Sequence, residues 1–333
     1  MNRLNFIVRV LGLLGLALFI ALIVREGIGE LAASLAAAGF GLLAVAGWHV
    51  LTMSIDGLAL RQLMRPRARI GAGTAIRTRW MQESVNNLLP VMQIGGNLVK
   101  VRALMRRGIA TDLAGASVVI DVTLTVSTQI VFTLVGLLLL LWHLGAGDVA
   151  GSVLAGAVVM SAAIAGFYLV QKRGLFSMLT ALLNRISSRP DWQALAGGAE
   201  AMDATIAALY RHRPALYQSA GLHLLAWFVG VGEVWLALYF LGTPVGLVEA
   251  ILLESLGRAL RTAAFAVPGA VGVQEGGFVL FAALLGLPPG AGLELSLAKR
   301  VRELVLGLPG LLAWQIEGGR AALGGLRQSG GDR

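Results

Sequence analysis

Glu254, Arg258 and Arg261 stand at spacings of four and three residues inside an apolar stretch, so one helical face would carry all three. Each such charge costs about 2.5–3.5 kcal/mol at the middle of a membrane span, so it needs a partner or a wet cavity. Glu254 and Arg258 can pair, which leaves Arg261 needing an anion. A guanidinium binds a phosphate or carboxylate bidentately, so a lipid headgroup clamp is one reading. A structural pair with Arg261 snorkelling to the interface is the other. The segment Ala266-Val267-Pro268-Gly269-Ala270-Val271-Gly272-Val273-Gln274-Glu275-Gly276-Gly277 follows. Pro268 removes a backbone donor and breaks the incoming helix. Gln274 and Glu275 then sit in the first turn of the next helix. Glu275 there is either a dipole-satisfied acid or a counter-charge to Arg261 or to a substrate cation, and the free amides themselves suit an anion. Folding the two arms together would let Arg258, Arg261 and Glu275 approach one another as a site with one surplus positive charge.

Other polar groups lie where only apolar ones are cheap. Asp121 belongs to a stripe with Ser117, Thr125, Thr128 and Thr133, with Gln129 beside it, on an otherwise apolar helix. The hydroxyls can serve helix–helix hydrogen bonds, but the carboxyl must face a partner or a cavity. Lys299, Arg302 and Glu303 open the last span. Lys299 and Glu303 can pair across one turn, and the cluster serves either as an interfacial anchor or as part of a site. Asn86, Asn87, Gln93 and Asn97 surround a second, weaker break at Pro90 with Gly95-Gly96, and can bind without charge.

The elements that must position these groups follow from composition. The chain has 333 residues, 57% hydrophobic and 14% charged, with apolar runs of about 20 residues. That is an all-α polytopic membrane protein and a single integral domain over 1–333. Six full spans are predicted, at 5–24, 39–60, 114–142, 150–170, 215–240 and 295–316, with a short loop at Arg25, Glu26 and Glu30. The N-terminus reads as an uncleaved first span. Residues 61–107 hold ten Lys and Arg and only one acid, Glu83. They mark a cytoplasmic surface rather than a nucleic-acid interface. A full crossing at 80–98 would put Lys100, Arg102, Arg106 and Arg107 outside, so a re-entrant hairpin with its turn at Pro90–Gly96 is predicted. Two interfacial helices are predicted within about 174–213, the second ending before Pro214. Residues 248–286 form the second broken hairpin, entering from the opposite face. The halves, about 1–142 and 150–320, thus share one plan. Three crossings per half invert the second half relative to the first, as in many transporters. Both termini are expected in the cytoplasm.

No phosphate loop, HExxH or GxSxG motif is present. With no cysteine, disulfide and thiolate chemistry are excluded. The four histidines are far apart and are read as interfacial or packing groups, so no metal and no cofactor is expected.

Asn87-Leu88-Leu89-Pro90 with Gly95-Gly96, then Val267-Pro268-Gly269 with Gly272 and Glu275, and Arg302 in the last span, resemble the transmembrane family of lysylphosphatidylglycerol synthases, the flippase-like domain of MprF proteins. Val267 to Gly277, Ala298 to Leu304 and Gly307-Leu308-Pro309-Gly310 are similar to the hopanoid-biosynthesis-associated HpnL subgroup. Many relatives carry an acid where this chain has Asn97. The resemblance implies a bacterial inner-membrane protein that translocates or handles polar lipids, hopanoids among the candidates, with membrane lipids and lipid-biosynthesis proteins as partners. Little follows Gln315, so an aminoacyl-transferase activity is not expected. A lipid-modifying enzyme, or a non-catalytic subunit of one, and a small-solute secondary transporter are the alternatives.

Overall fold

The computed structural model describes residues 17–89, 95–144, 191–264 and 267–329. The start of the first predicted span, the tip of the first hairpin with Gln93, the predicted span at 150–170 and the first interfacial helix lie outside them. Among the described residues all regular structure is helical. Residues 17–26 are helical. They are followed by α1 (Ile28–Ala38), α2 (Gly41–Met64), α3 (Ala72–Leu88), α4 (Gly95–Met105), α5 (Thr111–Leu144), α6 (Asp191–Arg211), α7 (Arg213–Phe240), α8 (Leu247–Ala263), α9 (Val273–Leu284) and α10 (Ala291–Ser329). The loop expected around Glu30 is instead α1, because its alanine-rich run, IGELAASLAAA, favours helix.

Among the described residues, three helices are long and apolar enough to cross a membrane: α2, the stretch Thr111–Trp142 of α5, and α7. The predicted last span lies within α10, a helix of 39 residues with Pro309 inside it and with Lys299, Arg300, Arg302 and Glu303 on it. Pro309 lacks the N–H that would bond the carbonyl of Val305. Next to that gap, the Leu306 carbonyl accepts a hydrogen bond from Trp80 Nε1 at 2.7 Å, which ties α10 to α3.

The central pair is α2 with α7. Gly41 faces Phe240, Trp48 faces Gly232 and Gln62 bonds Gln218, so the two helices run antiparallel. Their close approach rests on small residues, as interfaces between apolar helices require. Trp48 Nε1 also donates to the Val229 carbonyl at 2.7 Å. On the other face of α7, Phe132 of α5 stacks on Trp227 and meets Phe228 edge-on, with centroids 6.3 and 5.2 Å apart.

Two broken hairpins pack around this pair. In the first, α3 and α4 are tied by Gly96 N–H to Asn86 Oδ1 at 2.9 Å and by Gln82 Nε2 to Asn97 Oδ1 at 2.7 Å. In the second, α8 and α9 are joined through a single 3-10 turn, Pro268–Ala270. Gly269, Ala270 and Gly272 have φ of 62°, 51° and 80°. The incoming helix ends at Ala263, Pro268 opens the turn, and three positive-φ residues among the next four reverse the chain. Then α9 starts at Val273, and Glu275 Oε2 accepts the Gly272 N–H at 2.6 Å, capping the new helix. The first arms, α3 and α8, have 17 residues each, and the return arms α4 and α9 have 11 and 12. At 1.5 Å per residue, the return arms reach only about 17–18 Å.

Candidate functional site

The two hairpins, α5 and α7 enclose a cavity of about 220 Å³. The first hairpin supplies Arg79, Glu83, Asn86 and Asn87 from α3, and the second supplies Arg258, Arg261 and Thr262 from α8. Val126 and Gln129 of α5 and Trp227 of α7 complete the wall. Three arginines and one glutamate give this lining a positive surplus. The amides of Asn86, Asn87 and Gln129 and the hydroxyl of Thr262 add uncharged polarity.

Each arginine is aimed by a group behind it. Arg258 Nε donates to Glu254 Oε1 at 2.7 Å, the pairing expected from their spacing, and its guanidinium lies 5.6 Å from the Trp227 ring centre. That leaves its terminal NH₂ groups unspent on Glu254, while the indole face favours the cation. Arg261 donates through Nη1 to Glu303 and to Gln274 Oε1, and through Nη2 to Asn87 Oδ1. Arg79 donates to Asp56 Oδ2 at 2.8 Å, lies 3.6 Å from Glu83, and has a buried Nε with no partner among the described residues. Gln129 Nε2 reaches Thr262 Oγ1 at 2.7 Å, which fixes α8 against α5.

Behind the wall lies a buried ionic network. Glu254 accepts from Lys299 Nζ at 2.7 Å, and Lys299 also lies 3.4 Å from Glu233. Arg302 Nε donates to the same Glu233 oxygen at 3.1 Å, and its Nη1 lies 3.5 Å from Glu83. His49 is held between Glu233 and Glu83, at 2.6 Å from each. His223 lies between Asp56 and Asp121, at 2.9 and 3.2 Å. Asp121 is buried, as its place on the stripe requires, and accepts from Lys100 Nζ of α4 at 2.6 Å. A separate group joins Arg261, Glu303, Arg300 and Glu275. Arg300 Nη1 donates to Glu303 at 3.1 Å and its Nε to Glu275 at 3.0 Å.

The expected cluster of Arg258, Arg261 and Glu275 is therefore arranged differently. Glu275 turns to Arg300, to the Gly272 N–H and to Ser296. Arg261 takes Glu303, and Gln274 stands at its other side. Lys299 and Glu303 do not pair with each other, since each finds a partner on α7 or α8 instead. Burial explains the change: a buried charge left without a partner costs several kcal/mol, so every arginine here is matched before any ligand arrives. The lining stays positive because the partner acids, Glu254, Glu303 and Asp56, lie behind it.

Of the sequence-predicted groups, Arg258, Arg261, Asn86 and Asn87 line the cavity. Glu254, Gln274 and Glu303 directly support its arginines, and Asn97 bonds Gln82 beside it. Glu275, Lys299, Arg302 and Asp121 lie deeper, and Gln93 is outside the described residues. The sequence reading takes Arg79 and Lys100 as charges of a cytoplasmic surface and gives Glu83, within the first hairpin, no site role, yet Lys100 is fully buried and Arg79 and Glu83 lie in the cavity wall. His49 and His223, read as packing groups, each bridge two carboxyl groups. Glu233 is missing from that reading, although an acid in the middle of an apolar span is itself a signal.

Residues 9–310 match the family described as the lysylphosphatidylglycerol synthase TM region. No curated protein matches the chain. No solved structure matches it either. The match spans both hairpins, the charged network and all of α2 to α9, and on that extent the chain belongs to the lysylphosphatidylglycerol synthase transmembrane family.

Proposed function

We propose that this protein moves or presents polar lipids across the bacterial inner membrane, taking the headgroup into the cavity between its two broken hairpins. The observation that carries this reading is the cavity wall itself. Both hairpins contribute to it, and Arg79, Arg258 and Arg261 present guanidinium groups whose compensating acids stand behind them. A phosphate or carboxylate suits such a wall, and Asn86, Asn87, Gln129 and Thr262 suit the hydroxyls of a glycerol or sugar headgroup. On this reading both hairpins are re-entrant, since return arms of about 17–18 Å fall short of a 30 Å apolar core. The antiparallel α2–α7 pair is the centre of an inverted repeat, and both termini are cytoplasmic. The protein acts as a carrier, not an enzyme, and its partners are membrane lipids. The likeness of Val267–Gly277 to the HpnL subgroup makes hopanoid lipids one substrate to try.

The test is reconstitution alone in phosphatidylcholine liposomes with a fluorescent phosphatidylglycerol, a fluorescent phosphatidylcholine or a headgroup-bearing hopanoid, following the loss of probe from the outer leaflet. Translocation by the wild-type protein, lost in Arg258→Gln and Arg261→Gln while folded yield is kept, supports the carrier. Normal translocation by both variants overturns the headgroup clamp. Uptake of a small anionic solute with no lipid movement moves the assignment to a solute transporter.

A further inference from the structure

His49 is 3% exposed, and both of its ring nitrogens are occupied. Nδ1 lies 2.6 Å from Glu233 Oε2 of α7, and Nε2 lies 2.6 Å from Glu83 Oε1 of α3. A contact that short between a ring nitrogen and a carboxyl oxygen needs a hydrogen between them. A neutral imidazole supplies only one, and an ionised carboxylate supplies none. The three groups therefore hold one proton more than a neutral histidine with two carboxylates. Either His49 is an imidazolium, or one of the two glutamates is a neutral acid. Remove that proton and a carboxylate faces an imidazole lone pair at 2.6 Å, which is repulsive.

Glu83 connects this triad to the cavity. It lines the wall, and it lies 3.6 Å from Arg79 of the same helix. The other charges that face the triad come from α10, where Arg302 lies 3.4 Å from His49 Nε2 and Lys299 lies 3.4 Å from Glu233. On α2 itself, Asp56 is reached through Arg79, and Glu254 of α8 is reached through Lys299. Each glutamate meets three cationic groups, but Glu233 is fully buried with Arg302 at 3.1 Å, whereas Glu83 borders the cavity with Arg302 at 3.5 Å and Arg79 at 3.6 Å, so Glu233 is held more firmly. Glu83 is thus the member free to move when the proton leaves.

We infer that the Glu83–His49–Glu233 triad is a proton-binding site, and that transport of an anionic headgroup through the cavity carries a proton with it; the transport half of this inference rests on the function proposed above. In the loaded state the triad is protonated, Glu83 is drawn to His49, and Arg79 is left for the headgroup. On release, the His49 Nε2–H bond breaks and an O–H bond forms on Glu83, leaving imidazole and carboxylic acid both neutral. The Glu83 O–H then breaks and its proton passes to water in the cavity. The Glu83 carboxylate, now repelled by the Nε2 lone pair, turns to Arg79 and competes with the headgroup for it. Linkage makes the effect reciprocal: what the proton does for the headgroup, the headgroup does for the proton. His223 repeats the arrangement between Asp56 and Asp121, and Arg79 joins the two triads through Asp56 and Glu83.

The experiment uses phosphatidylcholine liposomes holding the full chain, a fluorescent phosphatidylglycerol, and a pH dye in a weakly buffered lumen. With pH gradients of zero, one and two units, the wild-type rate is expected to rise by up to about tenfold per unit in one direction, the limit for a step that takes up one proton. A matching proton flux is expected only when phosphatidylglycerol is present. His49→Gln, whose amide still donates to one glutamate but carries no exchangeable charge, is expected to lose both the gradient dependence and the flux. Wild-type translocation that ignores the gradient and moves no protons overturns the coupling and leaves the carrier standing. Translocation of neither phosphatidylglycerol nor phosphatidylcholine under any gradient overturns the carrier, and the coupling with it. If His49→Gln fails to fold, the wild-type gradient and flux measurements still decide between these outcomes.

Discussion

Asn87 Oδ1 accepts a hydrogen bond from Arg261 Nη2 at 3.0 Å, across 174 positions of sequence. This bond joins the end of the first hairpin's entering arm to the end of the second's. Gly269, in the turn of the second hairpin, lies against the Asn87 carbonyl as well. The end of α3 therefore meets the end of α8 and the turn that follows it, and the cavity lies beside this junction.

Asn87→Ala should loosen that junction without unpairing Arg261, which keeps Glu303 and Gln274. A hydrogen bond to a charged group contributes about 1.5–3 kcal/mol, so a lowered melting temperature is expected. Thermal unfolding of the purified protein in detergent checks it. An unchanged melting temperature would mean the hairpins are held by packing alone.

Lys100 and Asp121 hold the first hairpin's return arm to α5. Asp121→Asn leaves Lys100 buried and unpaired, a loss of about 3–5 kcal/mol. Adding Lys100→Met to it should restore much of the folded yield, because the introduced amide can still accept from His223. Yield and melting temperature of the two single variants and the double variant give the coupling. Additive losses would show that the two side chains do not depend on each other.

At Gly57 a Cβ would lie 2.8 Å from the Ile76 Cα, where α2 crosses the start of α3. The neighbour is backbone, so the helices themselves must part. Gly57→Ala is expected to cost about 1–3 kcal/mol, the usual range for overpacking. Gly47→Ala, whose added atom meets nothing within 4 Å, serves as the control. Equal melting temperatures for the two variants would contradict this packing.

The proposed topology is open to labelling, because the chain has no cysteine of its own. Single cysteines in place of Arg69 and Arg106 should react with an impermeant maleimide only from the cytoplasmic side. Reaction of the residue at 106 from the periplasmic side alone would make the first hairpin a full crossing.

How far the sequence could be read depended on how far away each partner lay. Arg258 with Glu254, and Glu275 at the start of its helix, depend on neighbours within a turn, and helical spacing alone placed them. Asp121 was recognisable as a group needing a partner, but Lys100 was hidden among arginines that mark a membrane face. Counting charges does not tell a buried lysine from an exposed one. His49 needs Glu233, which is 184 positions away, and neither helix shows locally why the other should carry its group. The surplus charge expected at Arg261 failed for the same reason, since its counter-ion Glu303 comes from a helix 42 positions on.

The reciprocal pairs across α2 and α7 also bear on how the molecule is made. His49 waits for Glu233, and Asp56 waits for His223, 167 positions later. At about 5–20 residues per second, the ribosome needs roughly ten to forty seconds to deliver Glu233 after His49. Through that interval the first half has only part of its pairing: Glu83 can meet His49 and Arg79 can meet Asp56, but the second partners of His49 and Asp56 are still unmade. The first half is therefore made able to pair its buried charges provisionally, and its final arrangement is set only when α7 brings Glu233 and His223.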